Sequence, residues 1–375
     1  MFTPYEHPAG ESANEEAKPL PFRLAVFEPD PHHGIECTVA AVPVHRRPPL
    51  ASAAAAARIG RSMKIILANP RGFCAGVNMA IDCVDQVLKL KGPPVYVYHE
   101  IVHNKHVVQD FIGRGVTFVN SIEEVPEGGV VVYSAHGISP AVRKASKGRQ
   151  LMEVDATCPL VTKVHMEVLR FVREGYRIIF IGHRDHDEAV GTVGEAPDNI
   201  VVVESPEEAQ ALPFGPEVKL AYVTQTTLSV NDALRIISAL RAKYPNIKAP
   251  PKEDICYATT NRQTAVSDIS PEVDLVLVVG SQNSSNSQRL VETAKQAGRD
   301  AYLIDDQSEL NPEWLRGRTA VLVTAGASAP EHHVQGLLER LRSEFGGEPE
   351  TRTLIEEDVS FELPKSLRRL AVVGA

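Results

Sequence analysis

The stretch "ANPRGFCAGVNMAIDCV" (Ala68–Val84) sets one cysteine, Cys74, between two glycines at a turn. Before it runs an apolar segment, "KIIL", of strand length. After it, Ala80, Val84 and Val87 recur at helical spacing. This is a strand-to-helix turn carrying a thiol. Cys83 lies inside the same helix on its apolar face and reads as core, so the two cysteines of this stretch have different reasons to be there.

Working outward, the design recurs twice. "LMEVDATCPLVTKVHMEVLRFVREG" (Leu151–Gly175) and "KAPPKEDICYATTNRQTAVSDI" (Lys248–Ile269) each carry a cysteine at or near the start of a helical pattern. The second copy has a clear strand before Cys158, and Pro159 follows at the favoured first helical position. The third has no clear strand before Cys256.

The sequence downstream of each cysteine repeats as well. A strand ending in a polar loop follows in each case: "VYVYHEIVHN", "RIIFIGHRDHDE" and "DLVLVVGSQNSSNS". Cys74 to His103 is 29 residues, Cys158 to His186 is 28, and Cys256 to Ser284 is 28. A second such strand comes later: "VVVYSAHGIS", "LAYVTQTTLS" and "AVLVTAGASAP", placing His136, Thr226 and Ser328 at offsets of 62, 68 and 72.

Strands alternating with helices predict parallel sheets, and three copies predict three similar α/β units. The expected boundaries are 63–150, 151–248 and 249–345, with 346–375 as a C-terminal tail. Ligands of open parallel sheets lie outside the carboxyl ends of the strands. Three units turning those ends inward would bring three thiols and six polar loops to one centre.

Residues 1–62 break the pattern. Nine of the 27 prolines fall there, beside an alanine run at Ala53–Ala57 and no strand–helix alternation. The segment has neither the basic start nor the apolar core of a targeting peptide and reads as a disordered extension, with the fold beginning at Met63. His32, His33 and Cys37 read as incidental to that extension.

Composition sets further limits. The chain is 375 residues long with a net charge of −9, which argues against a nucleic-acid surface. The longest apolar runs, such as Val273–Gly280, are strand-sized and too short to cross a membrane. Five cysteines without a targeting segment read as reduced cytoplasmic thiols, not a disulfide framework.

A helix N-terminus is expected to favour the thiolate, and three converging thiolates suit zinc or an iron–sulfur cluster. Structural zinc would want a fourth ligand and a close cysteine pair, which this sequence lacks. A cubane cluster tolerates wide spacing, and three ligands for four irons leave one iron open, which points to catalysis.

The motifs "NPRGFCAGV", "EIVHN", "SAHG", "DATCPLVTKVH", "TQTTLS", "DICYATTNRQ", "GSQNSSNS" and "TAGASAP" together resemble the 4-hydroxy-3-methylbut-2-enyl diphosphate reductases of the LytB/IspH family, in order from about Met63 to about Pro364. The resemblance implies a pseudo-threefold trefoil of α/β units around a central iron–sulfur cluster. It implies reductive removal of the allylic hydroxyl of that diphosphate, giving isopentenyl and dimethylallyl diphosphate, in the last step of the methylerythritol phosphate route. Carried over by position, Cys74, Cys158 and Cys256 would ligate a [4Fe–4S] cluster with one open iron. His103, His136, His186, Ser284, Ser285, Asn286 and Ser328 would bind the diphosphate, Glu188 would donate the proton, and Thr226 would assist it. The electron donor usual for the family is a ferredoxin or flavodoxin.

One position departs from the family pattern: Asp187 stands where a proline usually precedes the glutamate, and it is expected to raise the pKa of Glu188 by like charge. Two other readings have distinct signatures. A quinolinate synthase-like cluster dehydratase would leave the "TQTT" and "NSSNS" loops without a task. An iron or redox sensor would not need Glu188.

Overall fold

The computed structural model describes residues 63–367. The extension 1–62, with His32, His33 and Cys37, lies outside the described residues.

Short β-branched runs form the strands, and capped amphipathic segments form the helices. In chain order the elements are β1 (Lys64–Asn69), α1 (Ala75–Lys91), β2 (Val95–Tyr98), α2 (Lys105–Gly113), β3 (Val116–Val119), β4 (Val130–Tyr133), α3 (Pro140–Gly148) and β5 (Met152–Asp155). Then come α4 (Pro159–Arg173), β6 (Arg177–Ile181), α5 (Asp187–Val193), β7 (Ile200–Val203), α6 (Pro206–Ala211), β8 (Leu220–Thr224) and α7 (Val230–Lys243). The chain continues through α8 (Tyr257–Ile269), β9 (Leu275–Val279), α9 (Ser285–Gln296), β10 (Asp300–Ile304), β11 (Ala320–Ala325), α10 (Glu331–Phe345) and β12 (Pro349–Thr353).

Among the described residues three sheets result, ordered β3-β2-β4-β5, β7-β6-β8 and β10-β9-β11-β1-β12, and every strand pair in them is parallel. Separate apolar clusters cover the two faces of each sheet: Val97 and Val132 against Val131 and Tyr133, Ile179 against Ile178, and Leu277 against Val276. Burial on both faces is why β9 reads "LVLVV" without polar alternation.

The sheets cross the boundaries expected from the repeat. The strand before each cysteine joins the sheet of the preceding unit. β5 pairs with β4, so the first sheet extends to Asp155. β1 pairs with β11, so the N-terminal strand belongs to the third sheet. Before Cys256 the equivalent strand shrinks to one parallel bridge, Ala221 with Lys248; Pro250 and Pro251 follow and lack the N–H groups a ladder needs. Each cysteine therefore sits on a crossover between sheets, and β1 closes the ring.

Residues 346–367 are integrated as well. β12 lies beside β1, and Phe361, Leu363 and Leu367 pack on the core of the first sheet. On the way, Glu357 meets Arg262, whose side chain is fully buried (Nη1–Oε1 3.1 Å). Arg262 also donates to the carbonyls of Gly72 (2.8 Å) and Ala258 (2.9 Å), joining the Cys74 loop to α8. Glu357→Ala is expected to cost about 3–5 kcal/mol, because it leaves a buried cation unpaired. Chemical denaturation measures that loss.

Candidate active site

The ends of the strands deliver the site residues in threefold register. His103, His186 and Ser284 each stand five residues beyond the ends of β2, β6 and β9. The three cysteines are the residues immediately preceding α1, α4 and α8, and none of them makes a side-chain capping bond. Their N–H groups donate to equivalent carbonyls two residues past a strand: Cys74 to Ala327 (3.2 Å), Cys158 to Ala135 (3.0 Å) and Cys256 to Thr226 (3.0 Å). By this measure Thr227, not Thr226, is the backbone counterpart of His136 and Ser328.

All three cysteines are free thiols, and they line one cavity together with His103, His136, His186, Glu188, Thr226, Ser284, Ser285, Asn286 and Ser328. Every residue singled out for the site in the sequence is thus in one place. Cys83 is fully buried in the core of the first unit. A Cβ at Gly76 would lie 2.6 Å from Cys158 Sγ and 3.9 Å from Cys74 Sγ, so the glycine leaves room in front of two thiols. The Cys256 Sγ lies 3.2 Å from Thr259 Oγ1. Three unpaired thiols meeting at three helix starts, with a side chain omitted between two of them, fit a soft metal centre.

The expectation of depressed thiol pKa values does not hold for Cys158 and Cys256. Burial pushes Cys158 up to about 12 and Cys256 up to about 11, and the neighbouring thiols push the same way. The backbone N–H groups of Leu160 and Val161 pull Cys158 down but are outweighed by the loss of solvation. A cation among the thiols would reverse that balance.

On the other side of the cavity stand three imidazoles. His103 and His136 stack at 4.0 Å between centroids, and His186 meets them edge-on at 5.2 and 5.7 Å. Burial holds His136 well below its usual pKa and lowers His186 to about 4. His186 Nδ1 accepts the N–H of Glu188 (3.1 Å) and so caps α5. The His186 proton is therefore on Nε2, where it can be donated. No lysine or arginine lines the cavity among the described residues. An anion here would be met by imidazoles, hydroxyls and the start of α9, where Ser284 Oγ accepts the N–H of Ser287 (3.3 Å). Ser328 Oγ donates to the His103 carbonyl (2.9 Å), and Ser285 Oγ donates to the Thr227 carbonyl (3.2 Å). The Asn286 amide bridges Thr259 Oγ1 (3.1 Å) and the Ala327 N–H (2.9 Å).

Glu188 is 2 % exposed. Both of its oxygens accept from Thr226, Oε1 from the N–H (2.7 Å) and Oε2 from the hydroxyl (2.9 Å). Burial raises its pKa to about 7 against those two bonds, and the charge of Asp254 adds to the rise. The like-charge neighbour is thus Asp254, not Asp187 as the sequence suggested. Asp187 turns away: its Oδ1 pairs with His99 Nδ1 (2.7 Å), while Oδ2 lies 3.9 Å from both His103 and His136. His99, Asp254, Thr227 and Thr259 were not singled out by sequence; only Thr259, one helical turn after Cys256, carried a usable signal.

Converging thiols, a buried protonatable carboxyl and a cluster of neutral anion donors, at the carboxyl ends of parallel strands, define a metal-dependent α/β enzyme acting on an anionic substrate. Comparison with known proteins agrees. The LytB protein family model matches residues 65–342. The 4-hydroxy-3-methylbut-2-enyl diphosphate reductase of Rhodopirellula baltica is 56% identical over 313 residues, covering 84% of this chain and 98% of that protein. The solved structure of the E-1-hydroxy-2-methyl-but-2-enyl-4-diphosphate reductase from Plasmodium falciparum superposes with a TM-score of 0.82 at 40% identity, over 83% of this chain and 99% of that one. A second solved structure, of (E)-4-hydroxy-3-methyl-but-2-enyl diphosphate reductase, the terminal enzyme of the non-mevalonate pathway, aligns with a TM-score of 0.54 at 33% identity, over 75% and 99% of the two chains. The chain belongs to the LytB family of iron–sulfur reductases. No helix among the described residues is long and apolar enough to cross a membrane.

Proposed function

We propose that this protein reduces (E)-4-hydroxy-3-methylbut-2-enyl diphosphate to isopentenyl and dimethylallyl diphosphate, releasing the allylic hydroxyl as water at the expense of two electrons and two protons. Cys74, Cys158 and Cys256 would hold a [4Fe–4S] cluster through three thiolates, and the convergence of these thiols on the cavity that contains Glu188 is the observation that carries the reading. When bound, the cluster supplies the electrons and one iron without a protein ligand, a Lewis acid for the hydroxyl oxygen. Electrons would come from a ferredoxin or flavodoxin, and reduced thiols suit a cytoplasmic setting.

The chain's own groups divide the remaining work. His103, His136, His186, Ser284, Ser285, Asn286 and Ser328 hold the diphosphate. Burial keeps His136 and His186 neutral before binding, and an arriving anion favours their protonation. Glu188, with a pKa near 7, keeps a proton available to the departing hydroxyl oxygen. Thr226 fixes both oxygens of that carboxyl.

A histidine that only binds should affect KM. His136→Ala is expected to raise KM about tenfold with little change in kcat, the effect of losing roughly 1.4 kcal/mol of hydrogen bonding. His186→Ala should change both constants, because its ring also caps the helix that carries Glu188. Steady-state kinetics with a chemical reductant tests the difference. An unchanged KM in His136→Ala would remove that residue from the diphosphate site.

A further inference from the structure

A second set of ligand-type side chains lies outside the cavity, where the first and third units meet. His106 is on the first turn of α2, and its N–H and that of Val107 both donate to Asn104 Oδ1 (3.1 Å each). Asp306 follows β10, and His333 is on the first turn of α10. The His106 and His333 rings lie 4.0 Å apart at 33°. Asp306 Oδ1 is fixed by the N–H of Ser308 (2.7 Å), which leaves Oδ2 facing His106 Nε2 at 2.9 Å.

Two features separate this group from an ordinary ion pair. The Nε2 of His333 is buried without a hydrogen-bond partner, and the Nε2 of His106 is buried with only the Asp306 carboxylate, 2.9 Å away, beside it. One donor atom from each of the three residues lies within 4.8 Å of the other two. We propose that His106, Asp306 and His333 bind a divalent first-row transition cation of the zinc, cobalt or nickel type.

Two imidazoles and one carboxylate suit these metals, and they do not suit magnesium or calcium, which prefer all-oxygen sites. The Ser308 bond would orient the carboxylate as an outer-shell partner does. The ion would tie α2 to α10. These helices follow His103 and Ser328, the two residues joined by the Ser328 hydroxyl and the His103 carbonyl. Such a link would brace the join between the first and third units beside the cavity without taking part in its chemistry.

Calorimetric titration of the cluster-loaded full-length protein with Zn²⁺, alongside thermal unfolding, tests this. The wild type and His136→Ala should each bind an equivalent of Zn²⁺ that His106→Ala/His333→Ala does not, and that equivalent should raise Tm. His136→Ala controls for binding at the cavity histidines. Asp306→Asn keeps an oxygen for the Ser308 N–H and so should fold, yet it should bind Zn²⁺ more weakly. Mg²⁺ should produce neither effect. Equal Zn²⁺ stoichiometry and affinity in the wild type, the double variant and Asp306→Asn would overturn the proposal, as would the absence of zinc binding in the wild type.

Discussion

Cys158→Ser is expected to purify without its brown absorbance and with no measurable turnover, and Cys74→Ser and Cys256→Ser should behave alike. The thiols occupy equivalent positions, each before a helix and each tied through its N–H to the loop of another strand. Losing any one would leave two thiols for the cluster that the proposed ligation holds by three, so the effect should be all or nothing. Cys83→Ser is the internal control. That thiol is fully buried, and its pKa is raised to about 12 by burial, then by Asp82 and Asp155. The substitution should cost some stability through a buried hydroxyl and leave iron content unchanged. Anaerobic iron and sulfide analysis reads both outcomes. Wild-type iron in Cys158→Ser would remove that residue from the ligand set.

Glu188→Gln should lower kcat by roughly 10²–10⁴, the usual worth of a general acid, while KM stays near the wild-type value. Glutamine preserves the shape and can still accept from Thr226, but it has no proton to give. The pH dependence has a definite sign. With a folded-state pKa near 7, Glu188 is protonated below that pH, and kcat should fall as pH rises through it. In Glu188→Gln that decline should disappear from the residual activity. Because Asp254 contributes to the raised pKa, Asp254→Asn should shift the decline to lower pH. An unchanged kcat with a raised KM in Glu188→Gln would assign the carboxyl to binding instead.

The site was far more legible in the sequence than the chain's path between the sheets. Matched offsets from Cys74, Cys158 and Cys256 located the polar loops because a strand end fixes where its loop begins, whichever sheet the strand joins. The same alternation cannot say which sheet that is. β1 looks like the start of the first unit and instead pairs with β11, more than 250 residues later. β12, in what read as a tail, is held next to β1 by a backbone ladder that "PETRT" does not announce. Electrostatics was the least legible layer. The charge raising the pKa of Glu188 comes from Asp254, far away in sequence, while adjacent Asp187 pairs with His99 instead. Sequence distance is a poor guide to through-space distance wherever a turn reverses the chain.

The most direct test is a single anaerobic experiment. The iron-replete wild-type protein, a chemical reductant and (E)-4-hydroxy-3-methylbut-2-enyl diphosphate are mixed, and the products are separated. Isopentenyl and dimethylallyl diphosphate should form, both should be absent with Cys158→Ser, and both should form slowly with Glu188→Gln. Recovery of unchanged substrate from the iron-replete wild type, or equal product yields from Cys158→Ser, would contradict the account.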